Sequence, residues 1–348
     1  MRALVYHGSG IRSWEGAPDP ELQADGDAIV RVDAVTICDT DLHILDGGIP
    51  EVSPGLVLGH EAVGTVEAVG RAVARVRPGD RVLISCITSC GTCPACHAGR
   101  FGRCRRGGWL LGHTIDGTQA ERVRVPFADT STYPVPTEVS DEEALMLADV
   151  MPISLEVGAC HARVREGDVV AIVGAGPIGL AAILSARMNR PDLIVVVDLS
   201  DNRLDAAMRF GADVILNGGA DETVATVRAL TGGRGADIAV DAVGVPDTSR
   251  LATMLARPDG HIANIGMHGM PATFHLWELW DPHQRAVVER AHPHAPPQPE
   301  HAGAGHQLDT SRFVTHRFTL TEFEEAYDTL AHATETGAMK VVLTREAA

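Results

Sequence analysis

The run DVVAIVGAGPIGLAAILSARMN, beginning at residue 168, limits the possible folds of this chain more than any other stretch. An apolar strand over Val169 to Val173 feeds Gly174-x-Gly176-x-x-Gly179, and a helix pattern opens at Pro177. Proline at the first helical position costs no hydrogen bond, because an N–H there has no intrahelical partner. The first glycine makes a tight turn, the second admits a pyrophosphate, and the third lets helix and strand pack closely. The helix N-terminus then turns its positive end to the phosphates. Gly174, Gly176, Pro177, Ile178 and Gly179 are the expected cradle. The run LIVVVD ends in Asp198, 19 residues beyond Gly179. A carboxylate at that strand end accepts hydrogen bonds from both adenosine ribose hydroxyls and repels a 2′-phosphate, which favours NAD over NADP. DAAMRFGADVIL, ETVATVRALTGGRG, ADIAVDAVG and GHIANIG continue the alternation of helix and strand, as a doubly wound parallel sheet requires. AVG at 242–244 and NIG at 264–266 fall at strand ends, where such sheets bind ligands.

The second constraint is CITSCGTCPACHAGRFGRC, residues 86–104, which holds five of the seven cysteines. Cys90, Cys93, Cys96 and Cys104 follow a C-x2-C-x2-C-x7-C spacing. Two-residue gaps let neighbouring thiolates converge on one ion, and the longer gap returns the chain to close a tetrahedron. Four thiolates leave zinc no open position, which is the arrangement of a structural site. An iron–sulfur cluster is the rival reading. Ferredoxin-type runs place the fourth cysteine closer and follow it with proline, whereas Arg105 follows here. Cys86, after the apolar run RVLIS, reads as a buried strand residue. The N-terminus, MRALVYHGSG, lacks an apolar core of signal-peptide length, so the chain reads as cytoplasmic, where thiols stay reduced and clustered cysteines favour metal over disulfides. No run reaches the roughly 18 apolar residues of a membrane span. A net charge of −17 repels phosphate backbones, so nucleic acid is not an expected partner.

Upstream stand TICDTDLH, residues 36–43, and LGHEAVG, residues 58–64. Cys38 and His60 are a thiolate and an imidazole, a mixture that catalytic zinc sites use with one more ligand and an exchangeable water. With the glycine loop and the cysteine lobe, this order of motifs resembles the zinc-containing medium-chain alcohol dehydrogenases, from about residue 1 to 280 and again from about 313 to the end. The resemblance implies an α/β chain with a GroES-like, β-rich catalytic domain and a Rossmann domain. It places the catalytic domain at 1–150, with the zinc lobe at about 86–107. The NAD-binding domain follows at 151–285, and a return to the catalytic domain at 313–348.

By the same resemblance Cys38, His60 and Asp149 hold a catalytic zinc, and Glu61 is a neighbouring carboxylate able to approach it. Asp149 lies 25 residues before Gly174, where the bacterial secondary-alcohol dehydrogenase branch carries its third ligand; Cys160, 14 residues before it, is misplaced for that role. Thr40 matches the hydroxyl that hydrogen-bonds the alcohol, and His43 the histidine that takes the proton through the cofactor ribose. Arg203 matches a basic residue flanking the ribose, and Gly244 and Ile265 lie along the nicotinamide. Trp109, Leu110 or His113 are candidates for the substrate pocket, with packing of the zinc lobe as the alternative for Trp109.

The implied activity is reversible hydride transfer between an alcohol, primary or secondary, and NAD, with two zinc ions per chain. A polyol, amino-alcohol or formaldehyde-handling dehydrogenase of the same superfamily is the near alternative; a catalytically silent NAD-binding zinc protein is the distant one. The implied partners are a small-molecule alcohol and its aldehyde or ketone, and a second copy of the chain in a dimer or tetramer.

Residues 286–312 form an atypical His/Pro-rich segment. From residue 289 to 307 no Val, Ile, Leu, Met or Phe occurs, and five prolines fall between 281 and 312. Such a stretch supplies no amphipathic helix and no core face. Length is kept while pattern is lost, which reads as a compensated frameshift, or as a lineage-specific disordered loop.

Overall fold

A computed structural model describes residues 1–268, 271–273, 280, 282–288 and 310–345. They divide into two units, Met1–Pro152 with His292–Ala348, and Ile153–Ala291. In the first unit β1 (Arg2–Gly8) and β2 (Ile11–Gly16) form an antiparallel hairpin. The main sheet is organised around β3 (Ala28–Thr36), whose sequence AIVRVDAVT is apolar except at Arg31, Asp33 and Thr36. Arg31 and Asp33 share a face, as alternate residues of a strand must, and pair with each other at 2.8 Å. β4 (Ala62–Val69), β5 (Arg81–Ile84) and β7 (Thr132–Pro134) extend the sheet antiparallel on one side, while β6 (Arg122–Val125) also pairs with β3.

The chain returns to this unit through β14 (Val314–Thr319), helix Phe323–Ala331 and β15 (Lys340–Thr344). Glu322 accepts from the Thr319 N–H at 2.6 Å and caps the 3-10 turn Leu320–Glu322 that leads into the helix, which buries Phe323, Tyr327 and Leu330. β15 runs antiparallel to β3 with Val342 opposite Thr36, so Lys340 begins beside the chain leaving β3.

In the second unit the strand order is β10 (Val214–Leu216), β9 (Leu193–Val197), β8 (Val169–Val173), β11 (Ala236–Asp241), β12 (Ala256–Asn264) and β13 (Arg285–Val288), all parallel. The near-continuous apolar runs of β8 and β9 are what a parallel sheet covered on both faces requires. Val170, Ile172, Ile194, Val195 and Val196 are fully buried, each worth roughly 1.5–3 kcal/mol. Within the atypical stretch 281–312, Arg285–Val288 is a strand whose side chains are mostly exposed. Residues 289–309, on which the frameshift and loop readings rest, lie outside the described residues. No helix among the described residues is long and apolar enough to cross a membrane.

Candidate functional site

β3 delivers the chain to Cys38, which stands at the N-terminus of helix Asp39–Leu45. His60 and Glu61 immediately precede β4, and the antiparallel pairing sets Ala62 opposite Val35. The end of β3 and the start of β4 therefore meet, and Cys38 meets His60. Gly59, just before His60, has φ +93° and lets the chain pack on Gln119; a Cβ there would lie 2.5 Å from Gln119 Cγ. The Ser140–Glu143 capping box opens helix Asp141–Leu145, and Arg81 of β5 holds Asp141 at 2.8 Å. Just beyond that helix, Asp149 points back to the sheet end.

The donor atoms of Cys38, His60, Glu61 and Asp149 lie within 4.8 Å of one another. Asp149 Oδ2 is 3.8 Å from Cys38 Sγ and 4.0 Å from His60 Nε2. His60 and Glu61 side chains are 4 % and 1 % exposed, while that of Asp149 is 20 % exposed, so the cluster opens on the Asp149 side. Burial pushes the Cys38 thiol well above its ordinary pKa, against the pull of Lys340. A divalent cation reverses that balance, since a coordinating thiol is deprotonated outright. The donor set suits zinc, with sulfur, nitrogen and one accessible carboxylate.

Two supports surround the cluster. Lys340 Nζ donates to both oxygens of Glu61, at 3.0 and 2.7 Å, with both side chains buried. Burial opposes the Lys340 charge, but Glu61 and Cys38 outweigh it and hold its pKa above the ordinary value. Charges then balance: thiolate and Asp149 carboxylate offset a divalent ion, and Lys340 offsets Glu61. On the other flank, Asp41 Oδ2 accepts from the Cys38 N–H at 2.9 Å and from Gln119 Nε2 at 3.0 Å. Asp41 Oδ1 faces His60 Nδ1 at 3.7 Å, and neither atom has a hydrogen-bond partner among the described residues. A carboxylate behind the distal nitrogen of a metal-binding histidine fixes its tautomer and orientation.

The second cluster is closed. Cys90, Cys93, Cys96 and Cys104 bring four sulfurs within 4.8 Å of one another, with Cys93 and Cys96 at 3.5 Å. Burial works against a Cys90 thiolate, yet the Thr92 N–H and hydroxyl and the Arg106 guanidinium outweigh it and bring its pKa down to about 5. Cys96 is pushed up to about 12 by burial and by Cys93 and Cys104. Four sulfurs this close cannot all ionise without a cation between them, and the set leaves a tetrahedral zinc no vacant position.

In the second unit Gly174 has φ +100°, and a Cβ on Gly179 would run into the Gly174 carbonyl. Gly176 opens helix Pro177–Arg187. Asp198 Oδ2 accepts from the Ala175 N–H at 2.7 Å and Oδ1 from the Ser200 N–H at 2.8 Å, so the acid braces the glycine loop. Arg203 Nη1 lies 3.9 Å from where a Cβ on Gly176 would stand, which puts a cation over the second glycine. Ile265 packs its side chain toward Gly158 and donates its N–H to the Asp241 carbonyl at 2.9 Å, and Gly244 turns with φ +87° against Gly266 and Met267.

These geometries match known proteins along the whole chain. Residues 24–137 match the alcohol dehydrogenase GroES-like domain, and 177–293 the zinc-binding dehydrogenase domain. An alcohol dehydrogenase of Cupriavidus necator is 33 % identical over 99 % of this chain and 98 % of its own. The zinc-dependent alcohol dehydrogenase 2 of Streptococcus pneumoniae, in its apo form, superposes with TM-score 0.95 at 38 % identity, covering 100 % of this chain and 99 % of that one. Alcohol dehydrogenase TADH from Thermus sp. ATN1 gives TM-score 0.90 at 34 % identity, with 99 % of each chain covered. The chain belongs to the zinc-containing, medium-chain alcohol dehydrogenases.

In this dehydrogenase Thr40 and His43 are three residues apart on helix Asp39–Leu45, so they share a face. Both are half-buried. Trp109 stands edge-on to His60, ring centroids 6.0 Å apart, and stacks on His113 at 4.3 Å. It borders the open cluster. Cys160 is exposed in the second unit, apart from the donor set. Asp41, Gln119, Tyr327 and Lys340 escape a reading of motifs. Only Asp41, three residues after Cys38, carries a local signal. Cys86 is buried as expected but lies beyond β5, and its sulfur meets Asp149 at 3.3 Å.

Proposed function

We propose that this chain interconverts an alcohol and its aldehyde or ketone, with zinc and NAD as cofactors. The observation that carries the reading is the open cluster. One thiol, one imidazole and one partly exposed carboxylate converge, and the fourth donor, Glu61, is tied by Lys340. Cys38, His60 and Asp149 hold the catalytic zinc; Cys90, Cys93, Cys96 and Cys104 hold the structural one. When bound, zinc supplies a Lewis acid for the alcohol oxygen and NAD the acceptor for the carbinol hydride.

The protein's own groups handle binding and the proton. Thr40 accepts a hydrogen bond from the alcohol hydroxyl at Oγ1 and passes the proton on. His43 receives it on a ring nitrogen, a role that an imidazole of near-neutral ordinary pKa fits. Trp109 offers an apolar wall beside His60, which favours alcohols with a hydrocarbon body. The glycine loop takes the pyrophosphate, and Asp198 and Arg203 flank the adenosine ribose. The domain boundaries expected at residues 150 and 285, a cytoplasmic setting and the absence of nucleic-acid partners belong to the same reading. β13 ends its sheet with an open backbone edge among the described strands, which supports pairing of two copies there.

The test is NAD reduction by zinc-replete protein across primary, secondary and polyhydroxy alcohols. Turnover on at least one class is expected, with two zinc per chain by metal analysis. A folded, zinc-replete chain that reduces NAD with none of them is not this enzyme.

A further inference from the structure

Asp149 reaches the open cluster from a short segment between two helical turns, and a carboxylate there can meet a metal through one oxygen or two. The choice matters, because a second oxygen would fill the coordination position that an open site must keep. Cys86 touches this segment twice. Its N–H donates to the Ala148 carbonyl at 3.3 Å, and its thiol donates to Asp149 Oδ1 at 3.3 Å. The thiol is the donor because a carboxylate ligand has only acceptors. The two oxygens of Asp149 are thereby divided. Oδ2 faces Cys38 and His60, while Oδ1 is turned to Cys86. The four donors gathered within 4.8 Å do not include Cys86.

We infer that Cys86 is a positioning residue that restricts Asp149 to one-oxygen coordination through Oδ2. The inference rests on the reading of Cys38, His60 and Asp149 as a metal site. A cysteine suits this position for two reasons. Its sulfur fills a buried apolar space as a small hydrophobe does, and its S–H is a weak donor that leaves the carboxylate most of its charge.

The experiment follows zinc release from the intact protein under chelator challenge, in wild type, Cys86→Ala and Cys86→Ser, with Cys38→Ser identifying the phase that belongs to the open site. Cobalt-substituted samples report coordination number through the intensity of their visible bands. Cys86→Ala is expected to change the rate of open-site zinc release by roughly ten- to a hundredfold, the usual size of effect when a group that orients a ligand is lost. Its cobalt bands should weaken as the carboxylate turns to two-oxygen coordination, and release from the four-sulfur site should be unchanged. Cys86→Ser keeps a donor and should stay near wild type, which also covers a failure of the alanine variant to fold. Equal release rates and equal cobalt spectra in wild type and Cys86→Ala overturn the inference. So does loss of one thiolate's charge-transfer intensity in Cys86→Ala, which makes Cys86 a ligand. A wild type with no release phase sensitive to Cys38→Ser overturns the metal-site reading, and this inference with it.

Discussion

The two clusters of the first unit use similar atoms to opposite ends. The cysteine lobe takes four identical donors from one short stretch, Cys90 to Cys104, and needs little from the rest of the fold. The open cluster takes three donor types from three separated segments, and three of its four donors meet a partner: Asp41 behind His60, Lys340 on Glu61, Cys86 on Asp149. Closure is cheap in sequence and yields stability; openness requires a surrounding scaffold and leaves room for a substrate. The difference lies in how many parts of the chain must agree before a site exists.

The sharpest way to break this contrast is to remove one donor from each side. Cys38→Ser should lower turnover by on the order of a thousandfold or more, about 4 kcal/mol on the barrier, while equilibrium dialysis shows NAD binding unchanged. Cys104→Ser should reduce zinc to one per chain and lower the unfolding midpoint by on the order of 10 °C, as a loss of a few kcal/mol does in a domain of this size. Calorimetry with metal analysis reads both. If the folded fraction of Cys104→Ser is as inactive as Cys38→Ser, the division between staple and working site is wrong.

Lys340→Met tests the scaffold. It leaves the Glu61 carboxylate buried without its cation, and urea unfolding should show a loss of about 3–5 kcal/mol. Adding Glu61→Gln should recover much of that loss, because the uncompensated charge goes with it. The smallest effect is expected at Asp41→Asn. Zinc affinity at the open site should fall roughly tenfold or somewhat more in chelator competition, with turnover per bound zinc nearly kept. A larger loss of turnover than of zinc would give Asp41 a role beyond orienting His60.

What the sequence revealed follows from the same contrast. The glycine loop and the cysteine lobe are legible because their geometry is local: spacing along the chain fixes spacing in space. Cys38, His60 and Asp149 could be named through the order of motifs, and the fold gathers them. Their supports could not. Lys340 is an ordinary lysine in AMKVVL until β15 pairs with β3, and Gln119 is an ordinary amide until its loop packs on Gly59 and its side chain reaches Asp41. The Tyr327 hydroxyl donates to Gln119 Oε1 at 2.8 Å only in the folded unit. Such pairings are properties of register and burial, which no window of sequence contains.

The Glu61–Lys340 pair also sets an order of events during synthesis. Lys340 is made 279 residues after its partner, a delay of roughly 14 to 56 seconds at ordinary ribosomal rates. Through that interval the nascent chain carries Glu61 without its counter-ion, and the second unit is translated in between. The cysteine lobe is complete within 14 residues of Cys90. Its metal can therefore be captured early, while the open site reaches electrical balance only when the last strand docks.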